Sequence, residues 1–252
     1  MRYLWAFILA IFGSLIASFL NVVIDRLPAG ESIISPPSHC ASCRKRLAVK
    51  DLVPILSYLV LGGRCRYCGA PVPKRILLME IGTAVLFGLL YLNYGLSIEL
   101  LPMLFYGSLF LAIAVIDLEH SIIPNKLTYP GAVVALIITS LNPALGLKSA
   151  LIGGAVGLLT FLLIVILSRG GMGLGDVKLA TLVGLATGYP QVLVALLLAV
   201  VSGGLVAVAL LLAKVKRLKE AIPFGPFLCL GAFVTLWWGS QILSWYLAFF
   251  GV

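Results

Sequence analysis

A succession of eight apolar runs, at about 3–24, 76–95, 98–117, 127–142, 148–167, 176–188, 190–213 and 225–250, constrains this chain more than any other feature. Most approach the ~20 residues that an α-helix needs to cross a bilayer. The expected fold is therefore an all-α polytopic membrane protein of about eight transmembrane helices. With 62% hydrophobic and only 11% charged residues among 252, the chain has too little charge to clothe a soluble globule. The run at 176–188 is short, and its boundary with the next, at Gly188-Tyr-Pro190, is the weakest; if it does not cross, the later orientations invert. The first run is followed, not preceded, by the main block of positive charge. A cleaved signal peptide would be shorter and flanked the other way, so residues 1–24 read as a first membrane anchor. No internal repeat or low-complexity tract stands out.

Between that anchor and the helical core, residues 25–75 differ in kind. They hold nine Lys or Arg, three acids and six prolines. By the positive-inside rule this loop is cytoplasmic, which places both termini outside. The same topology puts Lys126, Arg169 and the cluster Lys214-x-Lys216-Arg217-x-Lys219 in the cytoplasm, leaving Glu99 and Lys148 in the outer turns. The net charge of +9 thus reads as membrane orientation and not as a nucleic-acid footprint.

Two acids stand out against this background. Asp117 closes one apolar run, with Pro124 stopping any helix soon after. Asp176 opens another within Arg169-Gly-Gly-Met-Gly-Leu-Gly-Asp-Val-Lys178. An ionisable side chain at such a place is expensive and marks a functional site. Gly173 and Gly175 are expected to turn the backbone with positive φ and to allow close approach to a neighbouring segment. Both acids fall at cytoplasmic helix ends. Two carboxylates brought close share a proton, the chemistry of aspartic proteases: one activates water while the other polarises the scissile carbonyl. Helix dipoles suggest a division of labour, with Asp176 at an N-terminus favoured as the anion and Asp117 at a C-terminus favoured protonated.

Cys40-x-x-Cys43 and Cys65-x-x-Cys68 supply four thiols in zinc-knuckle spacing. A four-thiolate zinc has no open position, so the site is expected to be structural, with a redox pair or a small iron–sulfur site as alternatives. The loop's one short apolar run, Leu52 to Leu61, is all it has to pack. His39 is surplus to the four sulfurs, and Cys229 reads as a buried small hydrophobe.

Taken together, these residues resemble the bacterial type IV prepilin peptidases, also called leader peptidases or N-methyltransferases. The resemblance runs through Ser18-Phe-Leu-Asn-Val-Val-Ile24 with Arg26-Leu-Pro28, the paired cysteines, Asp117-Leu-Glu-His with Ile123-Pro124, Gly173-Leu-Gly-Asp176-Val-Lys178, and Ile222-Pro-Phe-Gly-Pro-Phe227. It implies an inner-membrane aspartic endopeptidase of the Gly-x-Gly-Asp type. Asp117 and Asp176 match the catalytic pair, and Gly173, Gly175 and Lys178 belong to the active-site loop. It also implies cleavage of the short basic leader of prepilins and pseudopilins, of type IV pili and type II secretion, at the cytoplasmic face. Methylation of the new N-terminus with S-adenosylmethionine rests on the resemblance alone. Residues 25–75 would then be the zinc-binding loop domain and 76–252 the peptidase core. Glu80 is a candidate for the methylation site, for anchoring the cysteine loop, or for a salt bridge with Lys74 or Arg75. Asp25 stands where an aromatic residue or histidine is expected, and Asn125 where an acid is common. The archaeal preflagellin peptidases share the acid pair but not the cysteine loop. Presenilin-like proteases place a tyrosine where Ile116 precedes Asp117. Outside the enzymes, the rival is a proton- or cation-coupled transporter using the two acids. The oligomeric state is left open.

Overall fold

The computed structural model of the protein describes residues 1–141, 146–168, 171–215 and 222–249. Arg169 and the Lys216, Arg217 and Lys219 part of the basic cluster lie outside the described residues. The chain forms two compact units, Met1–Ser108 and Leu109–Val252. Among the described residues the secondary structure is helical, apart from two isolated β-bridges.

The first unit is a helical hairpin carrying an insert. Helix α1 (Arg2–Arg26) and helix α3 (Lys74–Tyr94) are each long and apolar enough to cross a membrane. They run antiparallel, because Asn21 Nδ2 donates to the Ile76 carbonyl (3.3 Å) while Gly13 lies against Thr83 and Phe87. A Cβ on Gly13 would stand 2.7 Å from the Thr83 carbonyl oxygen, so only glycine lets the helices meet there. At the open end of the hairpin Arg75 ion-pairs with Asp25 (2.5 Å), tying the last turn of α1 to the first of α3. The insert holds a single turn of 3₁₀ helix (Val49–Asp51) and the short α2 (Leu56–Val60).

The second unit is organised around its shortest long helix. Helix α4 (Leu100–His120) leads into it, followed by α5 (Asn125–Leu141), α6 (Gly146–Leu167), α7 (Leu174–Thr187), α8 (Gln191–Leu212) and α9 (Gly225–Phe249). Helix α7 packs against α5, α6, α8 and α9 and is buried at nearly every position from Val177 on. Its union with α6 is backbone against backbone. A Cβ on Gly184 would fall 2.1 Å from the Gly153 carbonyl oxygen, and one on Gly157 would fall 2.2 Å from that of Ala180. Ser149 and Tyr189 close the far end of the same antiparallel pair with reciprocal hydrogen bonds.

Among the described residues, eight long helices match the eight apolar runs, and six of them are long and apolar enough to span a bilayer. Helix α5 has 17 residues with Pro130 inside it, and α7 has 14. At 1.5 Å per residue α7 reaches about 21 Å, short of a ~30 Å hydrocarbon core. Because α7 is wrapped by other helices, it has little need to match the lipid thickness.

Candidate active site and metal centre

Asp117 lies in the last turn of α4 and is 5% exposed. Its Oδ2 accepts a hydrogen bond from the Gly225 amide at 2.9 Å. That amide opens α9, where the first N–H groups have no partner within their own helix. Asp117 therefore ends one helix while facing the N-terminus of another, so the dipole contrast expected from the sequence does not distinguish the two acids. Asp176 lies in the first turn of α7, as its place before an apolar run implied. The Asp117 carboxylate is near enough for its charge to act on Asp176, and both acids lie within electrostatic reach of buried Cys229. Residues 59 positions apart in sequence thus share one site in the second unit.

The expectation of positive φ at Gly173 and Gly175 is wrong. Gly173 is extended (φ −78°, ψ 149°) and caps α7, and Gly175 is part of the helix. Their smallness has another use at Gly175, where a Cβ would stand 3.2 Å from Ile123 Cβ. The Ile-Pro segment after α4 can thus lie directly on the first turn of α7. Lys178, one turn on from Gly175, donates to Asn125 Oδ1 at 3.0 Å and lies over the Tyr129 ring. Asn125, noted above only as a departure from pattern, is thereby tied to the first turns of α7, which carry Asp176.

Gly225 is the site residue that the sequence reading missed. It sits within the quoted Ile222-Pro-Phe-Gly-Pro-Phe227 motif, but a backbone donor leaves no side-chain signature. The signal available was the glycine itself, held between Phe224 and Pro226. A Cβ there would come 2.6 Å from Asp117 Oδ2.

The candidate metal centre lies in the first unit. Each Cys-x-x-Cys pair folds as the same knuckle, offset by 25 positions. Cys40 and Cys65 amides donate to Lys45 and Ala70, Arg44 and Gly69 amides donate back to the cysteines, and bridges His39–Arg46 and Arg64–Pro71 close each turn. Arg44 and Gly69 occupy equivalent positions with positive φ. A structural repeat is present after all, hidden because its geometry rests on backbone bonds shared by dissimilar residues. The four sulfurs lie within 4.8 Å of one another, with Cys40 and Cys68 Sγ 3.8 Å apart. Thiolates about 2.3 Å from a tetrahedral ion stand about 3.8 Å from each other, so one metal ion fits the group. The Cys43 and Ser42 amides bring the Cys40 thiol down to about 6, whereas at Cys68 the Ala70 amide is outweighed by burial and the neighbouring thiols, which push it up to about 11, so Cys40 is the sulfur most readily ionised for ligation. His39 instead contacts the Pro37 carbonyl.

Glu80, 5% exposed on α3, accepts the Ile55 amide at 2.6 Å. This supports the anchoring reading of Glu80. Beside it, a cavity of about 1050 Å³ is lined by α1, α3 and the insert, including Asn21, Asp25, Arg26, His39, Arg64 and Glu80.

A polytopic helical membrane protein with two neighbouring carboxylates and a four-thiol cluster able to hold a metal ion is the class that this fold and these sites define. Residues 11–94 match the Bacterial Peptidase A24 N-terminal domain, and residues 103–208 match the Type IV leader peptidase family. The chain belongs to the type IV leader peptidase family. Among its relatives is a Prepilin leader peptidase/N-methyltransferase of Bacillus subtilis (strain 168), 32% identical over 95% of this chain and 97% of the relative. Proteins of the same description from Pseudomonas putida (33% identical; 93% of this chain, 91% of the relative) and Pseudomonas aeruginosa (31%; 98% and 95%) are also similar. No solved structure matches the chain.

Proposed function

We infer that this protein is a prepilin leader peptidase and N-methyltransferase of the inner (cytoplasmic) membrane, with its active site toward the cytoplasm and both termini outside. The observation that carries the peptidase reading is the juxtaposition of buried Asp117, held by the Gly225 amide, with Asp176 at the start of α7. In this reading one carboxylate takes a proton from water as the water oxygen attacks the scissile carbonyl. The other, protonated, donates to the carbonyl oxygen and stabilises the charge that develops there. The tetrahedral intermediate collapses when a proton passes to the leaving nitrogen and the carbon–nitrogen bond breaks. Gly173, Gly175 and Lys178 shape the loop around Asp176. Prepilins and pseudopilins are the substrates. The family supports this reading and gives the transporter alternative nothing.

Methylation belongs to the first unit. Its cavity is large enough for S-adenosylmethionine, and Asp25, Arg26 and Glu80 on its wall offer partners of both signs to a zwitterionic ligand. When bound, that cofactor supplies an electrophilic methyl group. Cys40, Cys43, Cys65 and Cys68 hold a structural zinc that keeps the insert folded beside the cavity.

Asp117→Asn and Asp176→Asn should each abolish cleavage of a prepilin while the protein remains inserted, since a neutral amide cannot share the pair's proton. Near-normal turnover by either variant would rule out the two-carboxylate mechanism.

A further inference from the structure

The short apolar run of the insert does not pack as a core. Val49 is 85% exposed, Leu56 61%, Leu59 60% and Val60 79%, and Leu52 and Val53 are exposed beside them. Leu56, Leu59 and Val60 share one face of the short α2, and Val49, Leu52 and Val53 lie exposed in the turns just before it. Tyr58 turns the other way, its hydroxyl donating to the Val72 carbonyl, and the backbone before α2 is tied down by the Ile55 amide donating to Glu80. An exposed stripe of this size marks an interaction surface.

Its depth identifies the partner. Helices α1 and α3 are each long and apolar enough to cross the membrane, and the Asp25–Arg75 ion pair joins the ends from which the insert leaves them. Glu80 lies five residues further along α3, about 7.5 Å toward the membrane interior. The hydrogen bond from Ile55 therefore holds the stripe alongside the first turns of a membrane-spanning helix. An interfacial helix buries its apolar face about 5–10 Å into the headgroup and acyl boundary, which is the same depth. Charge agrees, since nine basic and three acidic residues between 25 and 75 suit an anionic leaflet.

We propose that residues 49–60 form a monotopic membrane contact, dipping into the cytoplasmic leaflet so that the metal-binding insert lies on the bilayer surface. Metal and lipid then act on different parts of the insert: the knuckles are fixed by the four thiols, and the bilayer covers the exposed apolar residues of 49–60. The cavity shared by the insert and the hairpin is held at the membrane surface as a result.

The test uses the full chain in nanodiscs containing phosphatidylglycerol, with a fluorescent amino acid inserted at position 56 or 60, or at exposed position 42 on the first knuckle. All three positions face outward, so the label replaces no core contact. Lipid carrying a nitroxide near the headgroup end of its acyl chain should quench positions 56 and 60 several-fold more than position 42. Equal quenching at all three, or none at 56 and 60, would overturn the proposal. So would positions 56 and 60 becoming shielded only when a prepilin peptide is added, since the stripe would then belong to a peptide partner.

Discussion

Gly225 does what no side chain could do at its position: it brings a helix-opening amide to 2.9 Å from Asp117 with no Cβ in the way. Gly225→Ala would put a methyl group 2.6 Å from the same carboxylate oxygen and force it aside. Displacements of about 1 Å at a reacting group cost on the order of 10²-fold. We expect that loss in kcat on a prepilin substrate, whereas Gly204→Ala, where a Cβ meets nothing within 4 Å, should leave turnover unchanged. The two aspartates could be singled out in the sequence because charge inside an apolar run is costly. Gly225 was not, because its contact joins backbone to side chain across 108 positions. A second residue-scale effect concerns Asp51, whose carboxylate takes hydrogen bonds from Arg66, the Ala48 amide and Tyr67. The Arg66 hydrogen bond holds it below the ordinary carboxylate range. A value lower in the folded than in the unfolded state stabilises the insert above the unfolded value of about 3.9, and this is lost as pH falls through the folded value. The protection of residues 48–72 against hydrogen exchange, relative to the free-chain rate, should therefore fall on acidification below about pH 4, and Asp51→Asn should weaken that dependence.

At the scale of elements, α7 is the piece around which the second unit closes. The helix pair α6–α7 meets through glycine so closely that each backbone fills the space of the other's missing Cβ. Close approach of this kind gains van der Waals contact where lipid offers no hydrophobic drive to association. Gly184→Ala should therefore overpack the pair and lower stability by roughly 1–3 kcal/mol or more. Thermal unfolding in detergent would measure it, and the structure predicts no comparable shift for Gly204→Ala. Apolar periods located α7 but could not say whether it crosses, since a run of 14 residues can be a short span or an enclosed helix. The Gly153, Gly157 and Gly184 pattern carried that information, but only once α6 and α7 were known to be partners. The insert was misjudged for a related reason. Leu52 to Leu61 is apolar enough for a core, yet the Glu80 tie to Ile55 turns much of it outward. A sequence shows how apolar a segment is, not which medium covers it.

For the whole molecule, the two compact units correspond to two separate family matches, 11–94 and 103–208. The proposed orientation predicts that a label at Lys45 is reached only from the cytoplasm and one at Lys148 only from outside; labelling of position 45 from outside would overturn it. The division into units makes a sharper prediction. Asp117, Asp176 and Gly225 all belong to the second unit, whereas the four thiols, Glu80 and the large cavity belong to the first. Structural zinc contributes roughly 10–16 kcal/mol of apparent binding energy in small finger peptides, far more than an insert with its apolar stripe turned outward can replace. Cys43→Ser should therefore empty the site, since three thiolates leave the tetrahedron open, and the knuckles should lose their shared geometry together. The cavity wall built from the insert would go with them, while α4, α7 and α9 keep their own contacts. Zinc content, methyl transfer and leader cleavage measured on one preparation should show zinc lost and methylation reduced far more than cleavage. If cleavage falls in parallel with methylation, the insert holds the leader for both reactions. If the variant keeps full zinc and both activities, the four-thiol site does not have the structural role assigned to it.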